Sequence, residues 1–410
     1  MITVEEAKKI IAQEIPRGPA VALPLEKVCS RILAEEIQSP IDSPLFNASA
    51  MDGFGIHHEE TTGASRPLPV TLKSAGLIAA GDVWNKPLGA GEAVHIMTGA
   101  MLPEGATAVI PQEEVLQDSG GTIMITREVK RGEHVRLKGE EIRKGDPVLP
   151  KETLLTPGGI GFLASLGIFK ASVYAAPKVF VIPTGSELVK DSSQLEKGKI
   201  IESNSHVLKA ALQELQMQAT LSHPIPDIHK VLFAVTETAL TDHDFILITG
   251  GVSVGSFDLV KEILKKLGVK TLFWQVAQKP GKPLYFGKYK SKFVFGLPGN
   301  PASSLVCFYE YVRPAILKWL GFKEIFLAED KAHLSEPFQI KGDRAQFIRA
   351  RAQKKEGRLL VQPLLGQESH RMAAFSMANC FMFVPKEMGS LGSGDEVTIH
   401  WLPQERRGLY

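Results

Sequence analysis

The chain has 410 residues, and 47 lysines and arginines against 45 aspartates and glutamates leave a formal net charge of +2. Because folded domains cluster near ~100–150 residues, this length predicts about three domains. The charge balance and the 44% hydrophobic content exclude a disordered chain and give no general electrostatic case for binding nucleic acid. Three widely spaced cysteines without a CxxC pair argue against a disulfide framework or a thiolate metal site.

The first residues, MITVEEAKKIIAQEI, lack a basic segment followed by an apolar one, and no later segment stays apolar for ~20 residues. We therefore expect a soluble, multidomain, cytoplasmic protein with neither a membrane nor a nucleic-acid partner.

The first part of the chain predicts helices interrupted by β structure. Thr3 and Glu6 have the spacing of a capping box, which predicts an N-terminal helix. A second helical segment is predicted at 25–37. Residues 44–136 are rich in Gly, Pro and Thr and contain short alternating runs, which predicts a β-rich module. The glycine-rich segment 144–170 is interpreted as packing back on the N-terminal helices, so that the β-rich module is an insertion.

The middle of the chain predicts an α/β domain. Apolar segments that end in Gly- and Pro-rich turns alternate with helical patterns, as expected for a parallel sheet with helices on both faces. Ligands of such sheets lie beyond the carboxyl ends of the strands. A small β domain is predicted after about residue 322. The predicted strands are 179–182, 219–223, 245–249, 293–297, 347–351 and 396–401, and the predicted helices are 203–215, 228–240, 257–267 and 302–320.

The sequence TGGVSVGSFD at 249–258 follows one of these buried strands. Its glycines and serines allow the backbone to approach a ligand and to direct N–H groups at an anion. Asp258 lies where it could cap the next helix or reach into the same crevice. Taken alone, this segment is equally typical of a glycine-rich turn.

The sequence Lys279-Pro280-Gly281-Lys282-Pro283 places two ammonium groups on a stiffened backbone. Two fixed cations suit a phosphate-bearing or oxyanionic ligand. If it stood alone, this segment would be interpreted as an exposed basic turn.

Carboxylates recur at the predicted strand ends, at Glu187, Asp227 and Asp258. Carboxylate oxygens suit Mg²⁺, which usually keeps several waters and contacts phosphates. Each residue alone is more typical of a cap, but their coincidence at successive strand ends favours a magnesium site. GLPGNP at 296–301 forms a further rigid loop that enters a helix.

Other segments stand outside the predicted sheet: SAMDGF at 49–54, HIMTGAM at 95–101 and RLKGEE at 136–141. The histidines form no HExxH pattern, which disfavours zinc hydrolase chemistry. The absence of a Walker loop and a GxGxxG motif disfavours kinase and dehydrogenase functions.

Together these segments resemble the molybdopterin molybdenumtransferases, the MoeA family, which includes the E domain of gephyrin-type proteins. The resemblance covers essentially the whole chain, and the motifs occur in the family's order and spacing. They are SAMDGF, MTGAMLPEGATAVIPQEEV, RLKGEEI, PTGSEL, ESNS, TGGVSVGSFD, KPGKPLYFG and GLPGNPASS, followed by QESH and SMAN.

The resemblance implies a multidomain α/β fold and an L-shaped homodimer with four domains per subunit. The central doubly wound parallel-sheet domain would resemble molybdopterin adenylyltransferase. The implied domains are an elongated N-terminal domain at 1–43 plus 138–175, an inserted β-rich domain at 44–137, the α/β molybdopterin-binding domain at 176–322 and a C-terminal β domain at 323–410.

The implied reaction inserts molybdate into adenylated molybdopterin with Mg²⁺, giving molybdenum cofactor and AMP. The implied protein partners, besides a second copy, are the pathway's adenylyltransferase and molybdoenzyme maturation proteins. Matching positions imply catalytic roles for Asp52, Thr98, Glu187, Asp227, Asp258, Lys279 and Lys282, with Glu187, Asp227 and Asp258 as magnesium ligands.

Substrate-binding roles are implied for thirteen further residues, two of which, Arg349 and Ser369, are candidate molybdate contacts. The chain departs from the family at Glu141, where an aspartate is common, and at Ser186, where an aspartate often precedes the glutamate. The implied substrate-binding residues are Arg136, Glu141, Thr184, Gly250, Gly251, Ser253, Gly255, Pro298, Gly299, Asn300, Pro301, Arg349 and Ser369.

Two alternative functions remain open at this point. The adenylyltransferase of the same pathway would share the central domain, but that enzyme is little more than this one domain. A gephyrin-like scaffold would not need the lysines and carboxylates, so their presence favours an enzyme.

Overall fold

The structure is a computed structural model that describes residues 1–117, 121–251, 259–340, 342–386 and 388–403. The chain divides into two compact units, one formed by Met1–Ala20 with Tyr174–Tyr410 and the other by Val21–Val173. No helix within the described ranges combines the length and the apolar character needed to cross a membrane.

The first unit begins with the helix Val4–Glu14, and the predicted capping box is confirmed. The Thr3 hydroxyl accepts the Glu6 N–H at 3.1 Å, and the Glu6 carboxylate accepts the Thr3 N–H at 2.8 Å. This exchange satisfies backbone donors that the first helical turn leaves without partners. The helix buries Val4, Ala7 and Ile11 in the largest core cluster of the unit.

A six-stranded sheet forms the centre of this unit. Its strand Phe245–Thr249 is buried along its whole length and lies between two parallel neighbours. Such burial on both faces explains why this segment is continuously apolar. In spatial order the strands are Ala219–Leu221, Val179–Pro183, Phe245–Thr249, Lys292–Leu297, Tyr285–Tyr289 and Lys270–Trp274.

The sheet is doubly wound, as predicted. Phe245 and Leu247 belong to the core cluster on one face, whereas Ile246 and Ile248 belong to the cluster on the other. This alternation follows from the two-residue period of a strand. The helices of the domain are Asn204–Gln213, His229–Asp242, Leu259–Lys266, Pro301–Cys307 and Arg313–Trp319, and a π-helical turn at Phe308–Val312 joins the last two.

The strands Tyr285–Tyr289 and Lys270–Trp274 extend the parallel part of the sheet in antiparallel pairing, and the sequence pattern did not predict them. Tyr285–Tyr289 and Lys292–Leu297 pair antiparallel through a two-residue turn in which Lys290 has φ +55°. Strands joined by so short a turn must be antiparallel. The turn residues Lys290 and Ser291 lack the usual Asn-Gly or Gly signal of such hairpins, which explains the omission.

A second six-stranded sheet forms the C-terminal part of the unit and contains the predicted strands at 347–351 and 396–401. It also contains the two-residue strand Gln278–Lys279, which pairs in parallel with Ala345 and Gln346. The start of the lysine-rich segment is therefore held by the C-terminal sheet. In order the strands are Gln278–Lys279, Ala345–Lys355, Arg358–Pro363, Glu329–Leu334, Glu396–Trp401 and Cys380–Val384.

The second unit is rich in β structure, as predicted for 44–136. Strands on either side of that segment pair with each other, Ala20–Pro24 with Lys170–Tyr174 and Ile37–Gln38 with Pro147–Leu149. A single helix, Pro157–Ser165, is described here. The six strands of its main sheet are, in order, Ala108–Pro111, Gly53–Ile56, Glu92–Ile96, Val70–Ile78, Thr122–Ile125 and Val115–Gln117.

The prediction of a helix at 25–37 is wrong. Only the 3₁₀ turn Leu25–Lys27 forms there, and the chain then extends. The N–H of Leu33 donates to the Thr153 carbonyl at 2.9 Å, a bond that a helix would not make. Leu33 is also fully buried in the core of this unit, so tertiary pairing overrides the local helical pattern.

Candidate active site

Two adjoining clefts lie at the carboxyl ends of the central strands. The carboxylate cleft, of about 520 Å³, contains Glu187 and Asp227 in its wall. The lysine cleft, of about 760 Å³, is lined by Lys279 and Lys282. The two clefts share wall residues, so they lie next to each other. The shared residues are Pro283, Pro298, Asn300 and His370.

These clefts bring together most of the site residues that were predicted in the first unit. The carboxylate cleft gathers the ends of three neighbouring strands, as the rule for parallel sheets requires. Its predicted residues are Thr184, Glu187, Asp227, Gly250, Gly251, Pro298, Gly299, Asn300 and Pro301. Those of the lysine cleft are Lys279, Lys282, Pro298, Asn300 and Ser369.

Asp227 is fixed by a reciprocal pair of hydrogen bonds with Ser186. The Ser186 N–H donates to Asp227 Oδ2 at 3.3 Å, and the Asp227 N–H donates to Ser186 Oγ at 3.0 Å. Ser186, at a position where the family resemblance implied an aspartate, thus orients the neighbouring Asp227 carboxylate but supplies no carboxylate of its own.

Glu187 folds back over the turn that precedes it. A Cβ placed on Gly185 would lie 2.7 and 2.8 Å from the two Glu187 carboxylate oxygens. Real Cβ atoms essentially never approach so closely, so the carboxylate position depends on glycine at 185. Gly250, at the end of the next strand, has φ +91°, and its Cβ would lie 2.3 Å from the Thr184 carbonyl oxygen. Glycine therefore allows the two strand ends to approach closely.

Two buried polar atoms belong to residues that line the carboxylate cleft. Thr184 Oγ1 and Asn204 Oδ1 have no hydrogen-bond partner among the described residues, although both side chains are less than 10% exposed. Buried polar atoms are normally satisfied, so such atoms indicate a bound ligand or water. Asn204 uses its amide to donate to the Gly299 carbonyl at 2.8 Å, which fixes its orientation toward the next loop.

The two lysines of the lysine cleft have no ion-pair partner within the described ranges. Lys279 is exposed and Lys282 half-buried. Arg344 lines the same cleft, donates to the Gln278 carbonyl at 3.3 Å and pairs with Asp343 at 3.9 Å. Two lysines held near each other without anionic partners favour an anionic ligand.

The C-terminal β domain closes one side of the lysine cleft. Asn300, in the loop after a central strand, donates through Nδ2 to the Ser369 hydroxyl at 2.8 Å. Arg349 lines neither cleft. Its fully buried guanidinium donates to the Gly366 carbonyl at 3.0 Å and to the Glu368 carbonyl at 3.4 Å, and burial lowers its pKa. Arg349 therefore supports the loop that carries Ser369.

The predicted residues Asp52, Thr98, Arg136 and Glu141 lie in the unit Val21–Val173. Asp52 Oδ1 accepts hydrogen bonds from the Thr98 hydroxyl at 2.6 Å and from the Thr98 N–H at 2.7 Å. These two bonds lower the pKa of Asp52, so this exposed carboxylate is ionised at neutral pH. Arg136 pairs with Ala48 in a short ladder next to the Asp52 turn. Glu141 accepts the Ser43 hydroxyl at 2.9 Å.

Ser253, Gly255 and Asp258 lie outside the described residues. Within the described ranges, no group of three or more His, Cys, Asp and Glu side chains is arranged to hold a metal ion. Glu187 and Asp227 therefore form at most part of a metal site on their own.

Sequence reasoning missed several wall residues. Asn204 occurs in the ESNS motif, where its helix-capping pattern concealed a role in the cleft wall. His370 directly follows the predicted Ser369 in the QESH motif, but nothing in its local pattern places it beside the central strands. Gln278 and Arg344 line the lysine cleft only because the C-terminal sheet folds against it.

The doubly wound sheet, with glycine turns and unpaired cations at its strand ends, is typical of domains that bind phosphate-bearing small molecules. Residues 180–318 match the family described as a probable molybdopterin binding domain. Residues 2–167 match the MoeA N-terminal region (domain I and II), and residues 331–402 match the MoeA C-terminal region (domain IV). The chain belongs to the MoeA family.

Curated and solved relatives are similar to this chain along almost its whole length. The molybdopterin molybdenumtransferase of Haemophilus influenzae is 36% identical over 406 residues, covering 97% of this chain and 98% of its own. That of Staphylococcus aureus (strain COL) is 36% identical over 398 residues, covering 97% and 95%. A solved molybdopterin biosynthesis MoeA protein from Pyrococcus horikoshii has a TM-score of 0.79 at 30% identity, covering 98% of this chain and 100% of its own. The predicted family and fold class are thereby confirmed.

Proposed function

We propose that this chain is a molybdopterin molybdenumtransferase of molybdenum cofactor biosynthesis, which inserts molybdate into adenylated molybdopterin and releases AMP. The observation that carries this proposal is the adjacency of the carboxylate cleft and the lysine cleft, which share wall residues at the strand ends. One cleft thus offers oxygen ligands, and its neighbour offers ammonium groups. Its curated relatives carry the name of this activity.

The charges of the cleft suit the two proposed substrates. Adenylated molybdopterin carries a pyrophosphate and molybdate is a dianion, so both need cationic surroundings. Lys279 and Lys282 are available because no described carboxylate neutralises them. Each would donate charge-assisted hydrogen bonds to substrate oxygens, which are stronger than neutral ones.

We further propose that Mg²⁺ is held at the carboxylate cleft by Glu187, Asp227 and Asp258. The described donors fit this ion, because carboxylate oxygens are hard ligands and the buried Thr184 hydroxyl has no described partner. When bound, the ion would offset phosphate charge during cleavage of the adenylate.

The other contribution of the chain is to position the substrates with fixed groups in the cleft wall. The close approach of Gly250 to Thr184 brings two strand ends together in the wall of the carboxylate cleft. The pyrophosphate would lie against this wall. Asn204 and Asn300 have side-chain amides in the cleft wall, where they orient the loops. Fixed donors and cations need little reorganisation when charge moves toward the departing AMP, which lowers the barrier.

We also propose that the protein works as a cytoplasmic homodimer whose active site combines residues of both subunits. The proposal is supported by the placement of Asp52 and Thr98 in the unit Val21–Val173, whereas the clefts belong to the other unit. Its test is complementation between an Asp52→Ala chain and a Lys279→Ala chain. Partial recovery of activity in verified heterodimers is expected, and its absence would contradict site sharing. Pathway enzymes remain the proposed protein partners.

The central experiment supplies the purified chain with adenylated molybdopterin and follows AMP release after molybdate is added, with and without Mg²⁺. Molybdate-dependent release that falls in Lys279→Ala is expected. Adenylation of molybdopterin with ATP, without molybdate-dependent AMP release, would support the adenylyltransferase alternative. Absence of both activities would leave the scaffold function as the better explanation.

A further inference from the structure

Gln278 is a fully buried glutamine directly before the lysine loop, defined as Lys279–Pro283. Its side-chain Nε2 donates to the Pro280 carbonyl at 3.1 Å and to the Gly281 carbonyl at 3.4 Å. Its Oε1 accepts the hydroxyl of the buried Tyr311. The Gln278 side chain thus connects the lysine loop, through Nε2, to the helical segment that contains Tyr311, through Oε1.

The loop is packed tightly against these same residues. Gly281 has φ +92°, and a Cβ placed there would lie 2.6 Å from Cys307 Sγ and 2.7 Å from Gln278 Nε2. The backbone of the loop therefore contacts buried side chains directly, without room for a side chain of its own. Further bonds fix the ends of the turn, since the N–H groups of Val276 and Leu284 both donate to the Lys282 carbonyl, at 3.0 and 2.9 Å.

Tyr311 determines which way the Gln278 amide faces. Burial raises the pKa of Tyr311, so its hydroxyl stays protonated and can donate. A hydroxyl that donates to the amide oxygen leaves the NH₂ group of Gln278 to face the loop carbonyls. Tyr311, Gln278 and the loop therefore form a directional chain of hydrogen bonds.

We propose that Gln278 is a positioning residue, which holds the lysine loop so that Lys279 and Lys282 present their ammonium groups to the lysine cleft. This inference rests on the proposed function in so far as the lysines bind substrate oxyanions. Gln278 itself acts through the loop carbonyls and not through the reacting atoms. The two lysines flank the Pro280-Gly281 turn that its amide holds, so a change at Gln278 alters both positions together.

The test uses Gln278→Met, which retains an unbranched side chain of similar length without the amide. We expect kcat/KM for molybdate-dependent AMP release to fall roughly tenfold, equivalent to about 1.4 kcal/mol of binding. The loss should appear mainly in KM for molybdate, because the variant weakens substrate binding and leaves the remaining groups in place. Tyr311→Phe should show the same type of change, but smaller, since the loop bonds themselves remain.

Loss of stability is separated from loss of positioning by two comparisons. Asn379 is a second buried amide, which bonds the Ala352 backbone and lines neither cleft. Asn379→Leu should lower Tm without raising KM. The double variant Gln278→Met/Tyr311→Phe should recover part of the Tm lost in Gln278→Met, because it removes the Tyr311 hydroxyl that Gln278→Met leaves without an acceptor. Its KM should stay high.

A readout independent of activity follows the lysines directly. Lysines are reductively ¹³C-methylated, and the signals of Lys279 and Lys282 are assigned with Lys→Arg variants. In Gln278→Met both signals should move toward the shifts of unstructured lysine, while Asn379→Leu leaves them unchanged. Unchanged signals, or a KM that recovers with Tm in the double variant, would overturn the positioning role. If the wild type lacked molybdate-dependent AMP release, the proposed function would fail while the ¹³C result still decided the role of Gln278.

Discussion

Replacing Glu310 with glutamine should strongly destabilise the unit that contains the clefts. Glu310 lies in the π-helical turn of the helical segment that begins at the cleft, and its side chain is 1% exposed. Its carboxylate contacts Lys8 Nζ at 2.7 Å and His400 Nδ1 at 2.8 Å. These contacts connect the N-terminal helix, the π-helical turn and the C-terminal sheet. Glu310→Gln leaves a largely buried ammonium group without its opposite charge.

The magnitude follows from the titration of Glu310. Burial opposes its ionisation, but attraction to His400 and Lys8 and the hydrogen bonds from both lower the pKa from 4.5 to about 2. At ~1.36 kcal/mol per pKa unit, the ionised Glu310 carboxylate stabilises the folded state by roughly 3 kcal/mol at neutral pH. Removal of one partner from a buried ion pair typically costs ~3–5 kcal/mol, which agrees. With ~2–4 °C per kcal/mol for a unit of this size, Tm should fall by roughly 6–12 °C.

The pH dependence has a defined sign. Because the folded pKa of Glu310 is lowered, its contribution is present above the unfolded value near 4.5 and is lost as pH falls toward about 2. The difference between wild type and Glu310→Gln should therefore be full at neutral pH and should shrink across this range.

Unfolding can be followed by tryptophan fluorescence in urea, because Trp274, Trp319 and Trp401 all belong to the unit that contains Glu310. The control is the double variant Lys8→Met/Glu310→Leu. It removes both buried charges and should recover much of the loss, since apolar replacement of a buried pair is often neutral. A Glu310→Gln transition close to wild type would refute the reasoning, as would a double variant no more stable than the single one.

Three further predictions concern the proposed site. Gly185→Ala should displace the Glu187 carboxylate, because the new Cβ would lie 2.7–2.8 Å from its oxygens, and AMP release should then require more Mg²⁺. Normal Mg²⁺ dependence would argue against Glu187 as a ligand. Asp52→Asn can still accept both of its hydrogen bonds, so Tm should be unchanged while activity falls by roughly 100-fold or more if the charge is needed. Lys279→Arg and Lys282→Arg retain charge but change shape, so each should lose substantial AMP-release activity, and wild-type rates would contradict fixed contacts.

The fold was predictable where local pattern and tertiary structure agree. The helix Val4–Glu14 has a complete capping box, and the strand Phe245–Thr249 is an apolar segment ending in two glycines. The segment 25–37 shows the opposite case. Its apolar residues satisfy a helical period, but the N–H groups of Leu25 and Leu33 donate to the carbonyls of Phe169 and Thr153, which are distant in sequence and which no local pattern encodes.

The strand-end residues of the candidate site were predictable for a physical reason. Parallel strands bring their carboxyl ends to one edge, so polar residues after separate strands meet there even though they are distant in sequence. Thr184, Glu187, Asp227 and Gly250 line one cleft on this account. The Asp52–Thr98 contact could be anticipated only through the family resemblance, because both residues lie in short turns without a diagnostic period.

The roles of Gln278 and Arg349 could not be derived from their sequence context, and the reason is the same for both. Gln278–Lys279 is a two-residue strand, too short to show any periodicity, and its partner Ala345 lies in another part of the chain. Arg349 continues an ordinary apolar strand, yet its guanidinium bonds the carbonyls of the loop before Ser369. Motifs identify the groups that meet a ligand, because chemistry restricts their type. The residues that hold those groups in place need only reach a backbone carbonyl, so many residue types and positions could serve. Their identification therefore requires the three-dimensional structure.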